Sequence, residues 1–397
     1  MVVGLALFEG AIDGDSLCHA PILTLSMVGS GNLHYRIAIK RSLNERTATM
    51  ENRKVRWGII GTAEIATKVV AGMHDAENAE AAAVASRSLD KAEAWAKEHR
   101  VPQAFGSYEE LLADDSIDAV YLPVPTALRN EWIKKAARAG KHVYAEKPLA
   151  DGIEEAVEVC NENGVQFMDG TMWVHSTRTQ DIEKRIANGD IGQVRRVTSA
   201  FTFKAPSKEW YEGGNGRTDK SREPMGCFGD QGWYPINAIL WSFGYELPEK
   251  VQMTSVSKNS IDTITACGGT LWFSGGRMAT FDAGCELAHR SQVETVGDAG
   301  LIKIDDLVGG QGRSGNFAAY GERFTGSSRY ILGDADGKDT EQEVEPCDHV
   351  VKLVEKFSNI ILTGKLDAQW PKRSLACHRV MSALFESAES DGAVIQL

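Results

Sequence analysis

Three side chains in this sequence have the types needed to move a proton to and from a carbon-bound oxygen: Lys147, Asp230 and Tyr234. A phenol with a pKa near ~10 carries protons poorly at neutral pH unless a cation lowers it. Lys147 can be that cation, and Asp230 can hold the lysine in place. Asp230 and Tyr234 lie four apart in Gly229-Asp230-Gln231-Gly232-Trp233-Tyr234-Pro235-Ile236-Asn237. If that stretch begins a helix, the two share a face. The plainer alternative is a capping Asp230 beside a half-buried Tyr234.

Lys147 stands in Glu146-Lys147-Pro148, after the apolar run His142-Val143-Tyr144-Ala145. That run reads as a buried strand, and ligands of open α/β sheets bind at the carboxyl ends of strands. Pro148 fixes the local backbone and makes a cis Lys-Pro bond possible.

A cofactor for this set is indicated upstream. Gly61-Thr62-Ala63-Glu64-Ile65-Ala66 sits at a strand–helix junction. There a glycine makes the tight turn and helix N–H groups meet a pyrophosphate. Ala63 and Ala66 replace the second and third glycines of the ideal fingerprint, so a plain tight turn is the alternative. At the end of the second strand stand Ser86-Arg87-Ser88, with Lys91 one turn on. A guanidinium and hydroxyls suit a 2′-phosphate, which selects NADP, with NAD still possible. Ser88 also reads as a helix N-cap. Pro123 and Glu146, at two further strand ends, complete the expected cofactor wall.

The elements that must position these residues are legible as periodicity. From Val55 to about Gly170, short apolar strands alternate with amphipathic helices, which predicts a doubly wound parallel sheet. Strands are expected at 55–60, 81–86, 119–122, 142–145 and 165–168, with helices at 63–74, 89–99, 128–139 and 154–163. After a helix at 179–188, long runs of β character follow at 194–203, 251–257, 261–273, 278–285 and 292–296. They predict a large, mainly antiparallel open sheet, closed by helices at 350–362 and 374–387. The expected fold is thus α/β: a doubly wound, dinucleotide-binding (Rossmann) domain over 50–172 and an α+β domain over 173–397.

The chain has 397 residues, enough for two domains with separate cores. Its net charge of −12 argues against nucleic acid or an anionic membrane surface as partner. No apolar stretch approaches the ~20 residues of a membrane span. The seven cysteines are scattered and form no CxxC pair, so neither a disulfide framework nor a metal site is expected. Residues 1–49 lack a sustained period, and Met50 opens a polar lead-in to the first strand. These residues read as a dispensable leader or upstream read-through on a cytoplasmic protein. A transit peptide to a plastid or other organelle is the rival reading, although Glu9, Asp13 and Asp15 sit poorly with it.

Several of these motifs in this order resemble the glucose–fructose oxidoreductase/inositol dehydrogenase family (Gfo/Idh/MocA). The carriers are Gly58-Ile59-Ile60-Gly61-Thr62-Ala63, Ala139-Gly140-Lys141-His142-Val143, Glu146-Lys147-Pro148, Gly189-Asp190-Ile191-Gly192, and Asp230 with Tyr234. Met168-Asp169-Gly170-Thr171-Met172-Trp173 and the 230–237 run are similar to the dimeric dihydrodiol dehydrogenase and NADP-dependent D-xylose dehydrogenase branch. The resemblance implies hydride transfer between NADP(H) and a sugar or diol substrate, a homodimer through the C-terminal sheet, and Lys147 and Tyr234 flanking nicotinamide and substrate. Trp173, His175, Arg178, Trp233 and Asn237 are the expected substrate-facing residues, with His175 a candidate second proton carrier. Arg217 is expected to be a solvated loop charge, with a hold on a substrate hydroxyl as the alternative. The family often has a histidine near the position of Arg129, so one cofactor contact is expected to be missing. The rivals are a non-catalytic dinucleotide-binding sensor on the same fold and a methyltransferase; the retained Lys147, Asp230 and Tyr234 disfavour the first.

Overall fold

Strand β1 (Val55–Ile60) is apolar apart from Arg56 and is buried along almost its whole length, as the central strand of a parallel sheet must be. The computed structural model describes residues 53–308 and 328–397. The expected extension over 1–49 lies outside them. Five more strands join β1: β2 (Ala79–Ala85), β3 (Gln103–Phe105), β4 (Ala119–Leu122), β5 (His142–Ala145) and β6 (Phe167–Asp169). Their order is β3-β2-β1-β4-β5-β6, all parallel. The helices α1 (Glu64–Asp75), α2 (Leu89–His99), α3 (Tyr108–Leu112), α4 (Thr126–Arg138) and α5 (Ile153–Glu162) alternate with the strands. The order reverses between β1 and β4, so the crevice for a ligand opens at the carboxyl ends of those strands.

The 3₁₀ turn Met172–His175 and α6 (Thr177–Asn188) lead out of this sheet into a nine-stranded one. Its strands are β7 (Val194–Lys204), β8 (Lys250–Lys258), β9 (Ile264–Phe273), β10 (Arg277–Gly284), β11 (Glu286–Gly297), β12 (Gly300–Ile304), β13 (Arg329–Asp334), β14 (Asp339–Glu343) and β15 (Ile395–Gln396). The order is β14-β13-β12-β11-β7-β10-β9-β8-β15, antiparallel except for β7 with β10. Two expected strands change a bound by three residues or more. The run at 261–273 begins only at Ile264, because Asp262 takes a left-handed turn (φ +60°). The strand expected at 292–296 extends back to Glu286, past a bulge that absorbs residues without an apolar period.

Helix α7 (Trp233–Ser242) crosses one face of this sheet, with every residue buried. Helices α8 (His349–Thr363) and α9 (Gln369–Glu389) return to the first sheet. Phe357 packs 5.1 Å from the Trp57 ring, and the Trp57 indole N–H donates to Ser358 Oγ at 3.2 Å. The buried apolar residues form one cluster spanning both sheets. Burying a large apolar side chain contributes about 1.5–3 kcal/mol, so this shared core fixes the sheets against each other and holds the crevice between them open. Among the described residues, no helix is long and apolar enough to cross a membrane.

Candidate active site

The chain turns sharply after β1. Gly61 adopts φ +107°, and its N–H donates to Ala85 O at 2.9 Å. The turn therefore lies beside the end of β2, where Ser86 is buried and Arg87, Ser88 and Lys91 are exposed. Helix α1 begins at Glu64 with no side chain capping its first N–H groups. An uncapped helix N-terminus reached through a glycine turn fits a dinucleotide pyrophosphate. Gly61, Thr62, Ala63, Glu64 and Ile65 are the residues that would hold it. Ser88 caps α2, its Oγ accepting from Lys91 N at 3.4 Å, which leaves the exposed Arg87 guanidinium for a 2′-phosphate.

From this turn a cleft of about 680 Å³ runs between the two sheets. Glu64, Ile65, Pro123, Arg129, Glu146, Lys147 and Gly170 line one wall. Phe201, Phe203, Lys204, Trp210, Arg217, Asp230, Tyr234 and His289 line the other. The peptide bond between Lys147 and Pro148 is cis. Lys147 Nζ donates to Asp230 Oδ1 at 2.6 Å and to Asp230 O at 3.1 Å. The same ammonium lies 4.3 Å from the centre of the Tyr234 ring. A π-turn (Phe228–Gly232) running directly into α7 carries Asp230 and Tyr234 to the same cleft. No side chain caps α7, so Asp230 does not act as a cap.

The electrostatics of this trio follow from burial and pairing. Burial alone would raise the Asp230 pKa, but Arg217 and Lys147 outweigh it and hold the carboxyl well below the usual range. Burial pulls the Lys147 ammonium down, while Asp230 and Tyr234 push it back up, and it ends above the ordinary lysine range. For Tyr234 burial is the largest effect and raises the phenol; Lys147 lowers it without cancelling the rise. The lysine thus acts in the expected direction, but desolvation wins.

Arg217 was expected to be a solvated loop charge. It instead pairs through Nε with Asp230 Oδ2. A buried carboxylate already facing one cation accepts a second because each of its oxygens can hold its own donor. The glycine- and cation-rich loop before Asp230 was the available signal. Phe201, Phe203, Lys204, Trp210 and His289 carry no motif, and only the fold brings them to the cleft.

Arg129, in place of the family histidine, is buried. It donates to Val124 O at 2.9 Å and to Pro148 O, bracing the loops after β4 and β5. Glu146 accepts from Tyr121 OH at 2.7 Å, and burial raises its pKa. A Cβ at Gly170 would meet the Glu146 carboxylate at 2.8 Å, so any side chain there would have to displace that carboxylate.

None of the five expected substrate-facing residues lines this cleft. Trp173 is buried edge-on against Trp241, with ring centroids 5.4 Å apart. His175 stacks on Trp370 at 4.5 Å, and burial, with Lys356 and Arg373 nearby, lowers its pKa to about 3. Arg178 pairs with Asp306 at 2.5 Å. The 3₁₀ turn folds this segment inward against α8, away from the cleft. The Trp233 indole N–H donates to Thr171 Oγ1 at 2.7 Å; neighbouring helix positions point about 100° apart, so Tyr234 in the cleft sends Trp233 into the core. Asn237 lies one turn deeper in α7 and is contacted by Tyr245 OH at 3.4 Å.

Residues 55–171 match the oxidoreductase family Gfo/Idh/MocA, described as an NAD-binding Rossmann fold, and residues 179–303 match the family's C-terminal domain. D-xylose 1-dehydrogenase (NADP(+)) 2 of Haloferax volcanii is 31% identical over 344 residues, covering 85% of this chain and 98% of that protein. Trans-1,2-dihydrobenzene-1,2-diol dehydrogenase of Danio rerio is 30% identical over 260 residues, 63% of this chain and 74% of that protein. Aldose-aldose oxidoreductase from Caulobacter crescentus superposes with a TM-score of 0.74 at 22% identity, over 87% of this chain and 100% of that one, a likeness of fold.

Proposed function

The chain belongs to the Gfo/Idh/MocA oxidoreductase family, and from that footing we propose that it moves a hydride between NADP(H) and a CH–OH centre of a sugar or diol. The carrying observation is Lys147, held 2.6 Å from Asp230 and 4.3 Å over the Tyr234 ring, in a cleft that begins at an uncapped dinucleotide turn. A bound nicotinamide supplies the hydride donor or acceptor. Tyr234 takes the substrate hydroxyl proton in oxidation and returns it in reduction. Lys147 draws the phenol toward ionisation and stabilises negative charge on the reacting oxygen. Asp230, itself braced by Arg217, orients the lysine. The aromatic wall of Phe201, Phe203 and Trp210 suits the carbon faces of a polyol or a cyclic diol. The activities of the relatives, on D-xylose and on a trans-dihydrodiol, support the same class.

The test is absorbance at the NADPH band with a panel of aldoses and cyclic diols and both cofactors. Turnover with none of them would overturn the reading. Arg87→Asp should weaken NADP binding by at least tenfold more than NAD binding; equal loss would remove the 2′-phosphate assignment. A cytoplasmic location and pairing of two copies through the nine-stranded sheet belong to the same proposal. A monomeric mass by light scattering would remove the pairing.

A further inference from the structure

We infer that Thr171 is a positioning residue for Tyr234, with the buried carboxylate of Asp169 as its anchor; the inference rests on the reading of Tyr234 as the proton carrier. The starting point is the segment 168–173, which the cleft does not absorb. Asp169 ends β6 and is 7% exposed. Its Oδ1 accepts from Thr171 N at 2.8 Å and from the Thr171 hydroxyl, and its Oδ2 accepts from Ser374 Oγ on α9. Thr171 Oγ1 in turn accepts from the Trp233 indole N–H at 2.7 Å.

The direction of this chain is fixed by chemistry. An indole N–H only donates, and the Asp169 Oδ1 that faces the Thr171 hydroxyl also accepts the Thr171 N–H, although burial raises the pKa of this carboxyl. The Thr171 hydroxyl between them must therefore accept from Trp233 and donate to Asp169. Trp233 stands immediately before Tyr234 and three residues after Asp230, at the start of α7. The relay thus ties the first turn of the helix bearing Tyr234 to the end of a strand in the opposite sheet, and through Ser374 to α9. Gly170 and Met172 both line the cleft, whereas Thr171, between them, does not. Thr171 is 3% exposed, so it acts on the reaction only through Trp233. The 168–173 and 230–237 segments are thus joined directly by a hydrogen bond.

A displacement of about 1 Å at a reacting group can cost ~10²-fold in rate. Thr171→Val keeps the shape and removes the hydroxyl. It should lower kcat at least tenfold while NADP affinity, read by fluorescence titration, stays within twofold. Thr171→Ser should restore most of the loss. The rising limb of the oxidation profile, where Tyr234 ionises, should move to higher pH in Thr171→Val, because a shifted Tyr234 feels less of the Lys147 charge; a merely structural defect would not move it. If Thr171→Val fails to fold, Trp233→Phe removes the same hydrogen bond from the other side and is expected to give the same kinetic signature. Wild-type kcat and pH profile in the folded variant, or equal loss in Thr171→Val and Thr171→Ser, would overturn the inference. Tyr234→Phe separates the two levels. If it abolishes turnover while the Thr171 variant is normal, only the relay fails. If it leaves turnover intact, the proton-carrier reading fails first.

Discussion

Lys147 and Asp230 meet at 2.6 Å with side chains 8% and 18% exposed; Arg178 and Asp306 meet at 2.5 Å with 3% and 11% exposed. By distance and burial the two pairs are near twins, and each joins a residue following a strand of the first sheet to one from the second half of the chain. They differ in what else touches the cation. The Lys147 ammonium lies over a tyrosine at the wall of the cleft. The Arg178 guanidinium donates again to a backbone carbonyl, Arg329 O at 3.0 Å, and does not line the cleft. A buried ion pair is therefore weak evidence of a site. A buried pair that faces a proton carrier on an open cleft is much stronger evidence.

The largest effect expected from breaking this contrast is at Lys147. Lys147→Met should lower kcat by about 10²–10⁴-fold, the usual weight of a general acid–base group. Cofactor affinity should change far less. Loss of the ammonium also removes the main pull that lowers the Tyr234 phenol against burial. Oxidation needs that phenol ionised, so the rising limb of any residual activity in that direction must move upward in pH. If Lys147 and Tyr234 act as one unit, the double variant with Tyr234→Phe should be little worse than the worse single variant. Additive losses would separate the two residues and weaken the proposed mechanism.

Arg178→Met tests the other twin. It breaks a buried ion pair, which typically costs about 3–5 kcal/mol. Denaturant unfolding should register that loss, while KM and kcat of the protein that remains folded stay near wild type. A variant of normal stability with a raised KM would put Arg178 back at the substrate.

The sequence carried the first sheet well, because parallel strands buried on both faces read as plain apolar runs and each is followed by a helix. It carried Lys147, Asp230 and Tyr234 for a related reason: strand ends and helix starts are local features. It did not carry the far wall of the cleft. Trp173, His175 and Arg178 are polar or aromatic residues just past a strand end, the right place for a ligand. Whether they face it depends on a 3₁₀ turn that rolls the segment inward. Arg217 failed in the opposite direction. Its loop looks solvated, and only the fold brings Asp230 beneath it. Side-chain direction after an irregular turn is a tertiary property, and spacing does not encode it.

The smallest expected effect, and the sharpest check on that distinction, belongs to His175. It is 4% exposed and stacked on Trp370, and its Nε2 has no hydrogen-bond partner. Burial, reinforced by Lys356 and Arg373, lowers its pKa to about 3, against ~6.5 in an unfolded chain. The folded state therefore resists a proton that the unfolded state accepts. Its contribution to stability is intact above pH ~6.5 and is lost as the pH falls toward the folded value. His175→Phe keeps a planar ring against Trp370 and has nothing to protonate. Between pH 7.5 and pH 5 the wild type should lose on the order of 1–2 kcal/mol relative to the variant. Burial also lowers the pKa of His349, to about 4, which adds acid sensitivity to both proteins alike and drops out of the difference. Urea unfolding at the two pH values measures it, and parallel pH dependences would show that the imidazole is not held neutral by the fold. Turnover at neutral pH should be unchanged in the variant. A fall in kcat with cofactor affinity intact would make His175 a proton carrier after all, and would move the boundary of the active site to the far side of the 3₁₀ turn.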